Sequence, residues 1–516
     1  MMQNLKIEDL STEQKIGMLL CARSFSTEDD VAFTVELIRN HTLGCVQVPF
    51  ARPEIMARVK EAADYPILII TDMEMGFPTS ELPAVPPMTL AACDNMEYIR
   101  SFARAVVADA KKAGYNGTWN PNLDFGCTQR RFGDTPEMVS KCAEEISRVY
   151  ANNSFMNCGK HYPGGSHKFD SHMANTASYT TKEELLNERL VPYFHLMEKG
   201  LLDSVMTGHS VYADIDPENP ATLSKKVIDL IRDRGFDGIV WTDSLAMMAI
   251  LQKYGEENIL GLSVAAGNDI VLPNYRTSAR KNYEMLLQNY KDGVFTEDRL
   301  NEAVRRVLAA QAKVGAEPPH AEPFTEEDRA NYYKIATDCI TAITDPGVEA
   351  ALPADNTDRL FIIINNQLSG SKELAQETVV RDWYHPYEIE KKIYEEFPEA
   401  ETVFLPEFPT ARDNEQVLLA ATRHKEVVFI TYCNARPYQG HDGLTRRAEA
   451  VINALITSGK VSAVLHFGNP MAMLEIDHVQ RRLFGYLMPE SQLRAIEVLA
   501  GKLPAKGKMP YKVIFP

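Results

Sequence analysis

The side chains with the most chemical potential lie in one short stretch, Lys160-His161-Tyr162-Pro163-Gly164-Gly165-Ser166-His167-Lys168-Phe169-Asp170-Ser171-His172. Further along, the apolar run Gly238-Ile239-Val240-Trp241 delivers Thr242-Asp243. In an extended or turn backbone, residues i and i+2 point the same way. The Asp170 carboxylate can then orient the His172 ring and raise its pKa, leaving a proton to donate near neutral pH. A carboxylate such as Asp243, at the end of a buried strand, can supply a nucleophile. A nucleophile with an acid/base is the pair that cleaves a glycosidic bond.

Each of these residues also has a plainer reading. Asp243 precedes Ser244-Leu245-Ala246-Met247-Met248, where an Asp commonly caps a helix. Asp170 and His172 also fit a solvated polar loop. Lys160 fits a surface lysine just past a helix ending near Asn157-Cys158-Gly159. Pro163-Gly164-Gly165 marks a turn, but a phosphate cradle would need Gly-x-x-x-x-Gly-Lys. His161, His167 and His172 lack the helical or Cys-x-x-Cys spacing of most zinc sites, so no metal is assigned.

The elements that must position these groups follow a regular alternation up to about residue 316. Strands are expected over 44–48, 66–70, 116–119, 202–206, 238–241 and 269–272, separated by amphipathic segments over 95–113, 135–152, 182–199, 224–235 and 278–291. Near-continuous apolar strands separated by helices imply a parallel sheet buried on both faces. So many units in one span favour a TIM-like (β/α)8 barrel over an open sheet. Asp72, Asn120, Thr207 and Asp243 each follow an apolar run, where such barrels build their sites. The proline-rich stretch Ala316-Glu317-Pro318-Pro319-His320-Ala321-Glu322-Pro323-Phe324 breaks the pattern, and a helical stretch over 326–343 follows. A second alternation then places strands over 360–364, 402–405, 427–431 and 461–465, as in a smaller α/β/α sandwich. The expected organisation is a catalytic barrel over 1–316, a linker and helix over 317–345, and the sandwich over 346–516.

A chain of 516 residues has room for two such cores, and its net charge of −17 argues against nucleic acid or anionic membrane as the main partner. The eight cysteines form no Cys-x-x-Cys pair and read as reduced buried thiols. The N-terminus Met1-Met2-Gln3-Asn4-Leu5-Lys6 starts no signal peptide, and no apolar run reaches transmembrane length, so the cytoplasm is the expected location.

Taken in order, the motifs carry a resemblance. Lys160-His161-Tyr162-Pro163-Gly164 with Asp170-Ser171-His172 resembles the Lys-His-Phe-Pro-Gly-His-Gly…Asp-Ser-His signature of glycoside hydrolase family 3, in its NagZ-like β-N-acetylglucosaminidase branch. Thr71-Asp72-Met73-Glu74-Met75-Gly76 resembles Asp-Gln-Glu-Gly-Gly. Asn120-Pro121-Asn122-Leu123-Asp124 resembles Ala-Pro-Val-Leu-Asp, and Arg130-Arg131-Phe132-Gly133 resembles Arg-Ser-Phe-Gly. Met206-Thr207-Gly208-His209, Asn219-Pro220-Ala221-Thr222-Leu223-Ser224, Trp241-Thr242-Asp243-Ser244-Leu245 and Ala266-Gly267-Asn268-Asp269 continue the series.

The resemblance implies that Asp243 is the nucleophile and that Asp170 and His172 form the acid/base dyad. It also implies that Asp72, Arg130, Lys160 and His161 bind the terminal sugar. The expected activity is a retaining exo-β-N-acetylhexosaminidase that releases terminal β-GlcNAc, with muropeptides from cell-wall recycling as substrates and no cofactor. A family β-glucosidase, a GlcNAc phosphorylase and a catalytically silent sugar-binding protein are the competing readings. The chain departs from the pattern in five ways. The dyad loop is one residue shorter, and Gly165-Ser166 replaces His-Gly. His167 competes with His172 as donor. Met75 replaces a glycine, and Phe77-Pro78-Thr79-Ser80 stands in place of Arg-Val-Gln-Arg.

Overall fold

The computed structural model describes residues 3–126, 128–164, 172–174, 176–365, 386–433 and 443–516. They gather into two compact units. One comprises Met1–Phe77, Ala103–Phe125 and Thr135–Phe324, the other Pro78–Phe102, Gly126–Asp134 and Thr325–Pro516.

The first unit is α/β with parallel pairing. Strands β1 (Cys21–Ala22), β2 (Cys45–Val46), β3 (Leu68–Thr71) and β4 (Gly117–Thr118) form one sheet in that order. Strands β5 (Gly159–Tyr162), β7 (Ser204–Thr207) and β9 (Ile239–Thr242) form a second. Between them in sequence lie β6 (Ala177–Ser178) and β8 (Val211–Tyr212), which pair with each other. Single bridges join Gly117 to Met156, Asn122 to Lys160, Trp241 to Ile270 and Leu20 to Val271.

Every residue of β3, β7 and β9 is buried, as expected of apolar strands covered on both faces. The covering helices follow from their sequence. Pro136–Asn152 starts with proline at its first turn, and the Thr135 hydroxyl accepts from the Met138 N–H. It buries Val139, Cys142, Ala143, Ile146, Val149 and Tyr150, one stripe at helical spacing. Inside, the Trp119 and Trp241 rings meet edge to face, with centroids 5.9 Å apart.

Three expectations are corrected here. The helix expected over 326–343 ends at Asp338, and Thr341–Thr344 is a strand. Lys160 and His161 do not follow a helix; they belong to β5, and the preceding helix ends at Asn152. The 182–199 segment is not one helix. It breaks into Lys182–Glu184, a wider π-turn over Leu185–Arg189, and Val191–Glu198, with Pro192 removing a backbone donor at the join.

The second unit holds β10 (Thr341–Thr344), β11 (Arg359–Asn365), β12 (Glu401–Pro406), β13 (Glu426–Cys433), β14 (Val461–Gly468) and β15 (Arg481–Phe484). They form one six-stranded sheet in the order β10-β15-β14-β13-β11-β12, antiparallel only between β10 and β15. Its apolar core includes Leu360, Ile362, Val428, Ile430, Val464 and Leu483, together with Met88 and Ala92. Among the described residues seven cysteines are free thiols, six of them buried. No helix among the described residues is long and apolar enough to cross a membrane.

Candidate active site

Parallel strands end on the same edge of a sheet, as β5, β7 and β9 do, and ion pairs from Lys160 on β5 bring in the carboxylates that follow β3. The gathering there starts from Lys160. Its side chain is only 2% exposed, which a lone ammonium would not tolerate. Its Nζ reaches Asp72 Oδ1 at 2.5 Å and Glu74 Oε1 at 2.6 Å. Glu74 is buried, whereas the Asp72 side chain is 56% exposed. One lysine therefore anchors one hidden carboxylate and one that still faces solvent.

His161 is the next residue on β5. The pairing of β5 with β7 shifts register between Lys160 and Tyr162, so no residue of β7 stands opposite His161. Such a bulge re-aims a side chain. The Lys160–His161 and Tyr162–Pro163 peptide bonds are both cis. The Asp124 carboxylate takes hold of His161 twice, accepting from its backbone N–H at 3.0 Å and meeting Nδ1 at 2.7 Å. A carboxylate accepts, so Nδ1 carries a proton and Nε2 is turned outward. Nε2 lies 3.8 Å from Asp243 Oδ2.

Asp243 leaves β9 with its N–H donating to the Thr207 carbonyl at 3.0 Å. Its Oδ1 accepts from the Ser244 N–H at 2.6 Å. Burial pushes this carboxyl up, but His161 and His209, the Ser244 N–H and Lys160 outweigh burial and hold it below its ordinary 3.8. It is an ionised carboxylate throughout the neutral range. His209 is buried, with Nε2 3.0 Å from the Ser244 carbonyl and Nδ1 2.8 Å from Thr222 Oγ1. A carbonyl can only accept, so Nε2 bears a proton. Burial pulls His209 below its ordinary 6.5, against the opposing charge of Asp243.

Of the residues expected from sequence, Asp72, Lys160, His161 and Asp243 come together in this way. His172 is half-buried and near enough to His209 for its charge to oppose protonation of that ring. Asp170 and His167 lie outside the described residues. Arg130 belongs to Gly126–Asp134 in the second unit, so the role expected of it rests on its motif alone. Sequence reasoning gave no role to Glu74, Asp124 or His209, although all three stand in motifs that carried the resemblance. Their work is to hold Lys160, His161 and the Ser244 carbonyl. Among the described residues, no three His, Cys, Asp or Glu side chains are grouped as a metal site requires.

An α/β unit with an ionised carboxylate past one strand, and a lysine and a histidine on another, is a scaffold for acting on a polar small molecule. The comparisons make it specific. Residues 12–310 match the glycosyl hydrolase family 3 N terminal domain, and the chain belongs to that family. It is 25% identical over 336 residues to a beta-N-acetylglucosaminidase/beta-glucosidase of Cellulomonas fimi, covering 60% of this chain and 59% of that one. Over 176 residues it is 32% identical to a beta-hexosaminidase of Chromobacterium violaceum, covering 32% of this chain and 49% of that one. The matches thus span only about half of those curated relatives. In fold it is similar to a glycoside hydrolase family 3 beta-N-acetylglucosaminidase from Paenibacillus sp. str. FPU-7. The TM-score is 0.80 at 24% identity, covering 98% of this chain and 100% of that one.

Proposed function

We propose that this protein is a retaining exo-β-N-acetylhexosaminidase that removes terminal β-GlcNAc through a covalent glycosyl-enzyme. The observation that carries the reading is Asp243, a carboxylate held ionised past β9 with only Oδ1 committed to a backbone N–H. In the first step Asp243 Oδ2 bonds to the anomeric carbon as the bond to the leaving oxygen breaks, and His172, oriented by Asp170, gives that oxygen its proton. In the second step His172 takes a proton from water. The water oxygen bonds to the anomeric carbon, the ester to Asp243 breaks, and two inversions leave net retention. Asp72, Lys160 and His161 hold hydroxyls of the sugar.

The scaffold for this chemistry is a (β/α)8 barrel within residues 1–316. The four strands β1–β4, the three strands β5, β7 and β9, and the segment at Ile270–Val271 make eight parallel stations, and the single bridges at Gly117–Met156, Trp241–Ile270 and Leu20–Val271 support their closure. Residues 317–345 supply a linker, a helix and the edge strand β10, and 346–516 the other five strands of the six-stranded sheet, in an α/β/α sandwich. The free thiols fit a reducing, cytoplasmic setting. Muropeptides released in cell-wall recycling are the substrates that the family resemblance suggests.

The test is a panel of aryl β-glycosides of GlcNAc, GalNAc, glucose and xylose, assayed with and without phosphate. The GlcNAc glycoside should be cleaved fastest at a rate indifferent to phosphate. Preference for glucose would make the enzyme a β-glucosidase. A large gain with phosphate would make it a phosphorylase, and no turnover on any glycoside would leave a sugar-binding protein.

A further inference from the structure

The chain between Gly164 and Ser178 carries the dyad residues Asp170 and His172, and both of its ends are tied to one short segment after β7, Gly208–Tyr212. At the leading end Gly164 has φ of +81°, a left-handed backbone suited to glycine, and a Cβ there would lie 3.0 Å from the Arg189 carbonyl oxygen. The Gly164 N–H donates to the His161 carbonyl at 2.8 Å, and its carbonyl accepts from the Tyr212 hydroxyl at 2.9 Å. At the trailing end the Val211 N–H donates to the Thr176 carbonyl at 2.9 Å. There β6 pairs with β8, setting Ala177 opposite Val211 and Ser178 opposite Tyr212. The Thr176 and Ser210 hydroxyls meet at 2.5 Å.

Tyr212, only 2% exposed, therefore holds one end with its ring hydroxyl, while its neighbours Val211 and Ala213 hold the other, their N–H groups donating to the Thr176 and Ser178 carbonyls. The same segment grips the nucleophile's surroundings. His209 binds the Ser244 carbonyl, and Gly208 follows Thr207, whose carbonyl accepts the Asp243 N–H.

We propose that Gly208–Tyr212 is a brace that sets the acid/base against the nucleophile, with Tyr212 as the positioning residue for His172. The inference rests on the glycosidase reading above. Its physical basis is that proton transfer needs donor and acceptor within hydrogen-bond reach, whereas a nucleophile on a strand end keeps its place without the dyad. Loosening the ends of the dyad stretch then slows only bond cleavage that needs the proton.

The experiment uses the full chain with Tyr212→Phe, which removes one oxygen and keeps the ring. Wild type and variant are compared on aryl β-N-acetylglucosaminides running from activated to poor leaving groups. The expected result is a fall of about tenfold in kcat/KM for the poorest leaving group, the size of one lost hydrogen bond, with less than about twofold for the most activated. Ser210→Ala, at the other end of the stretch, should tilt the series the same way and carries the test should Tyr212→Phe not fold. Uniform slowing across the series, or no tilt in either variant, would overturn the brace while leaving the glycosidase reading standing. Wild type inactive on every member of the series would overturn both.

Discussion

At the scale of single residues, the account turns on which charges are hidden and which are open. Lys160 and Asp72 are both sugar-binding residues by resemblance, yet their settings differ. Asp72→Asn changes a half-exposed carboxylate, so it should lower kcat/KM by one to two orders of magnitude, as loss of a charge-assisted hydrogen bond worth roughly 1.5–3 kcal/mol implies, and leave the melting temperature unchanged. Lys160→Ala should cost similar activity and also stability, because buried Glu74 loses the ammonium that lies 2.6 Å from it. Adding Glu74→Gln should recover stability but not activity. A melting temperature unmoved by Lys160→Ala would contradict the buried Lys160–Glu74 pair. Asp72, Lys160, His161 and Asp243 were legible because each stands in a motif with a recognisable order. Asp124, Glu74 and His209 were not, because their work is to hold other residues, and that depends on which strand ends meet in space.

At the scale of elements, legibility followed apolar burial. The runs behind β3, β7 and β9 are nearly all apolar, and the ends of those strands lie within two residues of where the pattern put them. Gly159-Lys160-His161-Tyr162 is a strand with an ammonium and an imidazole in it, which reads as a loop until their carboxylate partners are known. β1 pairs over only two residues, too few for a pattern. The start of β9 is fixed by Asp269, which is fully buried. Its Oδ2 accepts from the Val240 N–H at 2.9 Å and from Arg232 at 2.6 Å, and its Oδ1 from Arg299 at 2.7 Å. Arg232 ends the helix Lys225–Arg232 and Arg299 lies in the helix Glu297–Val314, so one carboxylate ties the nucleophile's strand to two helices. Asp269→Ala takes away the buried carboxylate that Arg232 and Arg299 share and should destabilise the first unit by about 3–5 kcal/mol, read from denaturant unfolding. A loss below about 1 kcal/mol would mean the cluster is not what fixes β9.

For the whole molecule, the negative charge and the two alternations were legible from composition and period. The grouping of Pro78–Phe102 and Gly126–Asp134 with the C-terminal sheet was not, because no local pattern reports which core a helix such as Pro87–Ala92 will join. Buried histidines also give the fold a pH dependence. His466 lies between Thr431 Oγ1 at 2.8 Å and the Asn469 carbonyl at 2.9 Å, and burial pushes its pKa down to about 4. The ring stays neutral in the fold, whereas the unfolded chain binds a proton near the ordinary 6.5. Stability present above that pH is therefore lost as pH falls toward 4, by about 2 kcal/mol at pH 5. His209 acts in the same direction. His466→Gln should flatten the dependence of the unfolding midpoint between pH 7 and 5, and an unchanged slope would place the acid sensitivity elsewhere.

The central claim is that Asp243 forms the covalent bond to the sugar. A 5-fluoro glycosyl fluoride of GlcNAc configuration slows the second step more than the first, so the glycosyl-enzyme accumulates. Digestion and mass spectrometry of the inactivated protein should find one added sugar, on the peptide containing Asp243, and Asp243→Ala should take up none while losing at least ~10³-fold in turnover. A label on any other carboxylate, or turnover of the wild type with no covalent adduct, would contradict the account.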